Sequence, residues 1–394
     1  MRNERRNIFK PAMAKSKPRS LFRLAIALPR KRENAWPRQT DNCDSLWMHF
    51  TPMNKGRARS MPHLILGLDC GGTKTAAALA IVSDARSEEV HFDILGKGVA
   101  GPSNPCSVGE EHAYENVVTA IRDAFRHAAL PAQSVASMSV CMAGVGRPEE
   151  MQRVRHWALS RELADRVIVT EDVEPVRWAA LWETRQSAEP KDWGSSDRWQ
   201  RIVTLISGTG SIACCTDGEH QNERVGGWGY LLGDEGSGFS IGLQGLKSVC
   251  ATHDRGLSLS DLHRELLDAM HCRTAMQLIP TVYQIPLPRS EIARLSRIVL
   301  RHASTDAQAR DMVQQAAESL SLLVRLALQR TGAHDPSYLL AVSGGLLEIE
   351  SLLLQDLRQS LATHRCAPGH IHLVQYPAHG ALFMAAQALK STNA

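Results

Sequence analysis

Two short turns rich in glycine and threonine hold the residues whose types and spacing could do chemistry. The first is Asp69-Cys70-Gly71-Gly72-Thr73-Lys74-Thr75, and the second is Ser207-Gly208-Thr209-Gly210-Ser211. Glycines let a backbone approach a ligand closely and turn its N–H groups outward, which suits a phosphate. Thr73 and Thr75 add hydroxyl donors, Lys74 adds positive charge, and Asp69 can reach a phosphate-bound Mg²⁺ directly or through water. An ordinary Gly-Gly hairpin with a solvated lysine would explain the first turn taken alone. Its recurrence in the other half of the chain is much more specific, because two facing hairpins could clamp phosphates from both sides. Neither is a Walker A loop: the spacing G-x-x-x-x-G-K-[ST] is absent and a strand, not a helix, follows.

Phosphoryl transfer asks mainly for positioning and neutralised charge, with a carboxylate to take the acceptor's proton. Asp172 suits that task, since it follows the apolar run Arg166–Thr170 at what would be the C-terminal end of a strand. Aspartate is also a favoured helix N-cap, so position alone leaves both readings open. Asp234 and Glu235 stand among glycines that could bring backbone close to a polyol, and Trp228 offers a flat face to a sugar ring; a solvated surface loop is the alternative. Asn104, in Ser-Asn-Pro, reads equally well as a turn residue. His379, in Pro-Ala-His-Gly-Ala, reads as structural.

The elements that must position these residues follow an α/β grammar from Met61 onward. Leu64–Asp69 and Ala76–Val82 form a strand–turn–strand hairpin, with a third strand expected at Val90–Leu95. Helices are expected over Glu110–Ala129, Glu149–Leu163 and Pro175–Trp182, and strands over Ser137–Met142 and Arg166–Thr170. Polar, turn-rich residues 185–200 read as a linker. A second hairpin then opens at Arg201, followed by a glycine-dense stretch, Gly226–Gly238, and a largely helical region from Phe239 to Arg330. Strands at Tyr338–Val342 and Ile371–Gln375, with a final alanine-rich helix from Ala378, close the chain. The expected division is an extension over residues 1–60, a first half over 61–184, a second half with inserted helices over 201–376, and a C-terminal helix over 377–394 that packs back on the first half.

A chain of 394 residues is long enough for two substantial cores. Residues 1–60 carry 15 Lys/Arg against 4 Asp/Glu, a net of +11, whereas the remainder has a net of −7. The total of +4 thus hides a basic tail on a mildly acidic body, and says little about nucleic-acid binding by that body. The tail shows little periodicity and no signal-peptide cleavage site, so it reads as a disordered extension or as sequence upstream of a start at Met61. Nine cysteines, an odd number without C-x-x-C spacing, fit reduced thiols in a cytoplasm better than a disulfide framework. No apolar run approaches the length of a membrane span.

Taken together, the Asp-x-Gly-Gly-Thr hairpin, the Gly-Thr-Gly-Ser hairpin, the stretch Gly226–Gly238 and the late Ser343-Gly344-Gly345 resemble the BadF/BadG/BcrA/BcrD-type ATPase family, in its N-acetylglucosamine kinase branch. The resemblance covers about residues 61–390. It implies an actin-like, hexokinase-like ATPase fold: an α/β protein of two ribonuclease H-like halves around a cleft. It also implies ATP and Mg²⁺ as cofactors and a small-molecule sugar as partner, with neither nucleic acid nor membrane; a homodimer is compatible with it. Residue by residue, Asp69, Gly71, Gly72, Thr73, Lys74 and Thr75 match the first phosphate loop. Gly208, Thr209, Gly210 and Ser211 match the second, and Gly344 and Gly345 match a turn that packs on adenosine. Asn104 matches a sugar-hydroxyl ligand, and Asp172 the catalytic base in the acceptor site. Gly227, Trp228 and Asp234 fall in the sugar-recognition loop, and Pro377, Gly380 and Ala381 match the turn entering the last helix. The chain departs from the family at Cys70, commonly glycine, and at Glu171, where asparagine often precedes the base.

The activity so implied is transfer of the ATP γ-phosphate to a hydroxyl, the 6-hydroxyl first, of N-acetylglucosamine or glucosamine. Two alternatives stay open. An ATPase activating a 2-hydroxyacyl-CoA dehydratase or benzoyl-CoA reductase would need cysteines placed to share an iron–sulfur cluster. A sugar-responsive DNA-binding regulator would need a helix-turn-helix, which the basic tail does not convincingly supply.

Overall fold

The computed structural model describes residues 62–82, 90–186, 201–217, 222–283, 287–332, 337–348 and 351–390. The basic extension and most of the expected linker therefore lie outside the described residues. The first hairpin is β1 (His63–Cys70) and β2 (Thr75–Val82), antiparallel and in register from His63 opposite Val82 to Cys70 opposite Thr75. β3 (Asp93–Ala100) pairs antiparallel with β2, while β4 (Ser137–Met142) and β5 (Val167–Thr170) add parallel on the other side of β1. Between them run α1 (Pro105–Val108), α2 (Glu110–His127) and α3 (Pro148–Ser160), and α4 (Glu174–Gln186) follows β5. Because β1 and β4 are interior strands covered on both faces, their sequences are almost continuously apolar rather than alternating.

The second half repeats this plan. β6 (Arg201–Ser207), β7 (Ser211–Asp217) and β8 (Asn222–Gly226) form the antiparallel part. Five inserted helices follow: α5 (Gly238–Asp254), α6 (Asp261–Ala269), α7 (Leu278–Tyr283), α8 (Arg289–Arg294) and α9 (Ser296–His302). Next comes the long α10 (Ala307–Arg330), then β9 (Leu339–Ser343), α11 (Leu352–Thr363), β10 (His370–Leu373) and α12 (Pro377–Lys390). The sheet orders, β3-β2-β1-β4-β5 and β8-β7-β6-β9-β10, are the same order built twice. Mixed sheets of this kind, each flanked by helices, are the duplicated fold expected from the sequence.

Each half lends its last helix to the other. α4 follows β5 of the first sheet yet buries Val176, Ala179 and Ala180 against Ile202, Leu339 and Ala341 of the second. α12 follows β10 of the second sheet and buries Ala378, Leu382, Ala385 and Ala386 against Ile65, Ala78, Ala80 and Val82 of the first. The approach is close enough to require glycine. A Cβ on Gly67 would lie 2.4 Å from the Leu382 nitrogen, and one on Gly380 would lie 1.9 Å from the Pro175 carbonyl oxygen.

Three local expectations are corrected. The third strand is Asp93–Ala100, not Val90–Leu95: Val90 and Phe92 precede it, and Phe92 stacks on Trp182 at 4.9 Å. Gly96 and Gly98 sit inside that strand because α2 passes close over them. β8 was not expected at all; it is an edge strand with one buried residue, Val225, so its sequence carries little strand signal. Finally, α4 extends to Gln186, four residues beyond the helix expected to end at Trp182.

Candidate active site

The two hairpin turns meet. Thr73 Oγ and Thr209 Oγ lie 2.7 Å apart, joining residues 136 positions apart in the chain. In the first turn the Gly71 N–H donates to the Lys74 carbonyl, leaving Thr73 and Lys74 exposed at the tip. In the second the Gly208 N–H donates to the Gly210 carbonyl. A Cβ on Gly72 or Gly208 would meet nothing within 4 Å, so protein packing does not account for glycine there, whereas close approach of a ligand would. Gly344 differs: its φ is +111° and a Cβ would lie 2.1 Å from the Ser207 carbonyl oxygen, so this turn packs directly on the second hairpin. Gly345 follows it, with the Arg297 guanidinium nearby.

The second hairpin is braced from behind. The N–H of Ser211 donates to Asp234 Oδ1 at 3.3 Å, Ser211 Oγ donates to the Glu235 carbonyl, and Ser207 Oγ to the Gly236 carbonyl. α5 begins at this point, capped by Ser237, and the N–H of Gly238 donates to the Gly208 carbonyl at 2.8 Å. The N-terminus of a 17-residue helix therefore lies against the turn, where its dipole favours an anion.

Asp69, at the end of β1, and Asp172, just after β5, are partly buried and repel one another across the sheet's C-terminal edge. Burial, then the charge of Asp172, raise the Asp69 carboxyl from its ordinary 3.8 to about 7, with Lys74 opposing. Burial, then Glu171, raise Asp172 to about 6, with Arg224 opposing and Asp234 adding to the rise. Asp172 does not cap α4: the helix starts at Glu174, so Val173 stands in the cap position. Asp234 is buried with φ +65°, a conformation unusual for a residue other than glycine. Burial raises its carboxyl too, against the pull of the Ser211 N–H and Arg289.

The sequence-expected residues divide into those open to a ligand and those spent on structure. Thr75 is fully buried, donating to the Gly101 carbonyl and hydrogen-bonded to Ser103 Oγ, each at 2.7 Å, so its hydroxyl does not face the turn's outer surface. Asn104 caps α1, its Oδ1 accepting the Cys106 N–H at 2.9 Å, and retains its amide NH₂. In the loop after β8, Trp228, Leu231 and Leu232 are 71 %, 78 % and 79 % exposed. The loop is tethered by Tyr230, which packs on Phe239 and lies under Arg289, whose guanidinium also bonds Ser107 of the first half. Pro377, His379, Gly380 and Ala381 open α12, whose first turn packs over Gly67 of β1, and burial of His379 beside Tyr376 and Trp182 fits a structural residue. Cys214 and Cys215 point to opposite faces of β7, into different apolar clusters, and burial raises their thiols to about 12 and about 11. They do not converge as ligands for one cluster.

Two participants escaped the sequence reading. Arg224, on the unexpected β8, reaches Glu171, and Arg289 bridges the loop to α1. Only a lone arginine two residues before Gly226-Gly227 could have pointed to the first, and nothing in the sequence pointed to the second.

The profile of the BadF/BadG/BcrA/BcrD ATPase family matches residues 66–385. An N-acetylmuramic acid/N-acetylglucosamine kinase of Clostridium acetobutylicum is 24 % identical over 298 residues, covering 75 % of this chain and 90 % of the relative. An N-acetyl-D-glucosamine kinase of Dictyostelium discoideum is 24 % identical over 343 residues, covering 83 % and 99 %. Among crystal structures, a protein from Chromobacterium violaceum, described as a candidate N-acetylglucosamine kinase, superposes with a TM-score of 0.58. It is 24 % identical and covers 82 % of this chain and 99 % of its own, a likeness of fold.

Proposed function

We propose, because this chain belongs to the BadF/BadG/BcrA/BcrD ATPase family, that it is a sugar kinase transferring the γ-phosphate of ATP to a hydroxyl, the 6-hydroxyl first, of N-acetylglucosamine or a related amino sugar. The observation that carries this reading is the meeting of two glycine-threonine hairpins over a pair of carboxylates, Asp69 and Asp172. The names of the Clostridium and Dictyostelium relatives support the choice of acceptor.

In this reading the N–H groups of Gly72 and Thr209, with the Lys74 ammonium and the dipole of the α5 N-terminus, hold the phosphates from both sides, while the N–H groups of Gly71 and Gly208 shape the two turns. Asp172 accepts the acceptor's proton as its oxygen bonds to the γ-phosphorus and the bond to the bridging oxygen breaks, releasing ADP. At pH 7 a carboxyl titrating at about 6 is roughly nine-tenths ionised, so the base is ready yet basic enough to take a proton. The residues present fit Mg²⁺: Asp69 is a hard oxygen donor beside a second carboxylate, an arrangement short of positive charge. Mg²⁺ held there supplies charge neutralisation on the β- and γ-phosphates. Trp228 faces the sugar, Asp234 serves the acceptor loop by fixing it to the second hairpin through the Ser211 N–H, and the free cysteines suit a reducing compartment such as the cytoplasm.

A coupled ADP-release assay over N-acetylglucosamine, glucosamine, N-acetylmuramic acid, neutral hexoses and no acceptor tests the reading. ADP release that depends on an amino sugar is expected. Equal release with and without acceptor refutes it.

A further inference from the structure

β8 gives the cleft a link that the phosphate hairpins and the base do not themselves provide. Its backbone is locked to β7, with Arg224 opposite Cys214 and Gly226 opposite Ile212. The Arg224 carbonyl is further held by Arg330 Nη1 at 2.9 Å. From this fixed point the Arg224 guanidinium reaches two ways. Nη1 donates to Glu171 Oε1 at 3.2 Å, and Nη2 donates to the Gly227 carbonyl at 2.9 Å. Glu171 immediately precedes Asp172; Gly227 opens the loop that carries Trp228. The N–H of Gly227 is also engaged, donating to the Ser211 carbonyl at 3.0 Å.

The space around this arginine is shaped for it. A Cβ on Gly227, where φ is +69°, would stand 2.8 Å from Nη2, and one on Gly146 would stand 2.7 Å from Glu171 Oε1. Larger residues at either place would push the ion pair apart. The pair is 45 % and 27 % exposed at Arg224 and Glu171, so its contribution to stability is small. What the two-way reach supplies is geometry: the planar fork of arginine fixes two groups relative to each other, as a lysine point charge would not.

We propose that Arg224 is a positioning residue for the phosphoryl acceptor, holding the Gly227–Trp228 loop at a fixed distance from Asp172 through Glu171. The proposal rests on the reading of Asp172 as base and of this loop as the acceptor's. A second link between the halves, from Asn222 Nδ2 to Glu174 Oε1 at 3.2 Å, lies on the same strand but does not touch Gly227. It therefore serves as the internal control.

The experiment compares Arg224→Gln, Glu171→Gln and Asn222→Ala with the wild type in ATP-dependent phosphorylation of N-acetylglucosamine. It adds calorimetric titration of the sugar and thermal melting. Arg224→Gln loses both charge-assisted bonds, and the expected result is about a tenfold rise in the sugar's KM and Kd. ATP KM should stay within about twofold and the melting temperature should be unchanged. Glu171→Gln keeps the Gly227 bond, and about a threefold rise is expected. Asn222→Ala should leave sugar KM unchanged. An unchanged sugar KM in Arg224→Gln, equal rises for sugar and ATP, or the same rise in Asn222→Ala overturns the proposal. If Arg224→Gln does not fold, Glu171→Gln decides alone, and an unchanged sugar KM there overturns it. A wild type that neither binds nor phosphorylates any amino sugar defeats the underlying kinase reading, whereas an active wild type with an indifferent Arg224 defeats only the positioning role.

Discussion

Replacing Asp172 by Asn should move activity and stability in opposite directions. The variant keeps the shape of the side chain and removes the proton acceptor. General-base catalysis contributes about 10²–10⁴-fold, or about 2.7–5.5 kcal/mol of barrier. The folded protein meanwhile loses a desolvated negative charge that faces Asp69, Glu171 and Asp234. A rise from 3.8 to about 6 corresponds to about 3 kcal/mol of penalty on the ionised form. Because solvent reaches part of this side chain, about 1–2 kcal/mol is the expected gain, a few degrees in Tm. The assay is steady-state turnover at pH 8, where the wild-type base is ionised, beside thermal melting without nucleotide. The expected result is kcat down at least 10²-fold, sugar and ATP KM within about threefold, and a raised Tm. A merely structural aspartate would give the reverse pattern, with kcat intact and Tm lowered. Turnover within about threefold of wild type would falsify the assignment of Asp172 as base.

Three further outcomes follow from the same geometry. The rate kcat/KM for the sugar should fall on the acidic side with a midpoint near pH 6, where Asp172 protonates; a profile flat down to pH 5 contradicts this. The folded-state pKa of Asp69 is raised, so its contribution to stability is full below the unfolded value near 3.8 and is lost as pH rises through about 7. Asp69→Asn should therefore raise the melting temperature of the nucleotide-free protein at pH 8 but not at pH 4, and an equal effect at both pH values contradicts the linkage. Gly72→Ala and Gly208→Ala should fold with nearly wild-type melting temperature yet raise ATP KM about tenfold, whereas Gly67→Ala should be destabilised by several kcal/mol through its clash with α12. Normal nucleotide affinity in both turn variants would show that their glycines do not serve a ligand.

Much of the frame was legible because its signals are local. β1, β2, β6 and β7 are apolar runs of strand length broken by Gly-Thr turns, and α10 carries buried residues at helical spacing from Ala309 to Leu328. The candidate catalytic residues were legible for the same reason, since each sits in a turn or directly after a strand. What the sequence could not show was which polar groups are used up inside the fold. Thr75 reads as a phosphate ligand by type and spacing, but Gly101 and Ser103 lie about two dozen residues away and claim its hydroxyl. β8 was illegible because an edge strand needs only one buried side chain, and its arginine gains meaning only once β5 and β7 are brought alongside.

The exchange of terminal helices between the halves has a consequence for how the chain is made. Vectorial synthesis delivers β1 and β2 early, but the helix that covers Ile65, Ala78, Ala80 and Val82 begins only at Pro377. At about 5–20 residues per second, that face waits roughly 15–60 s on the ribosome. α4 likewise emerges before β9, on which its own apolar side must rest. Neither half can then close by itself: the second takes its cover from α4, made before its strands, and the first waits for α12. A nascent chain stalled at Tyr376 should present one bare apolar sheet face to chaperones, and a premature stop there should cost the whole molecule rather than its tail.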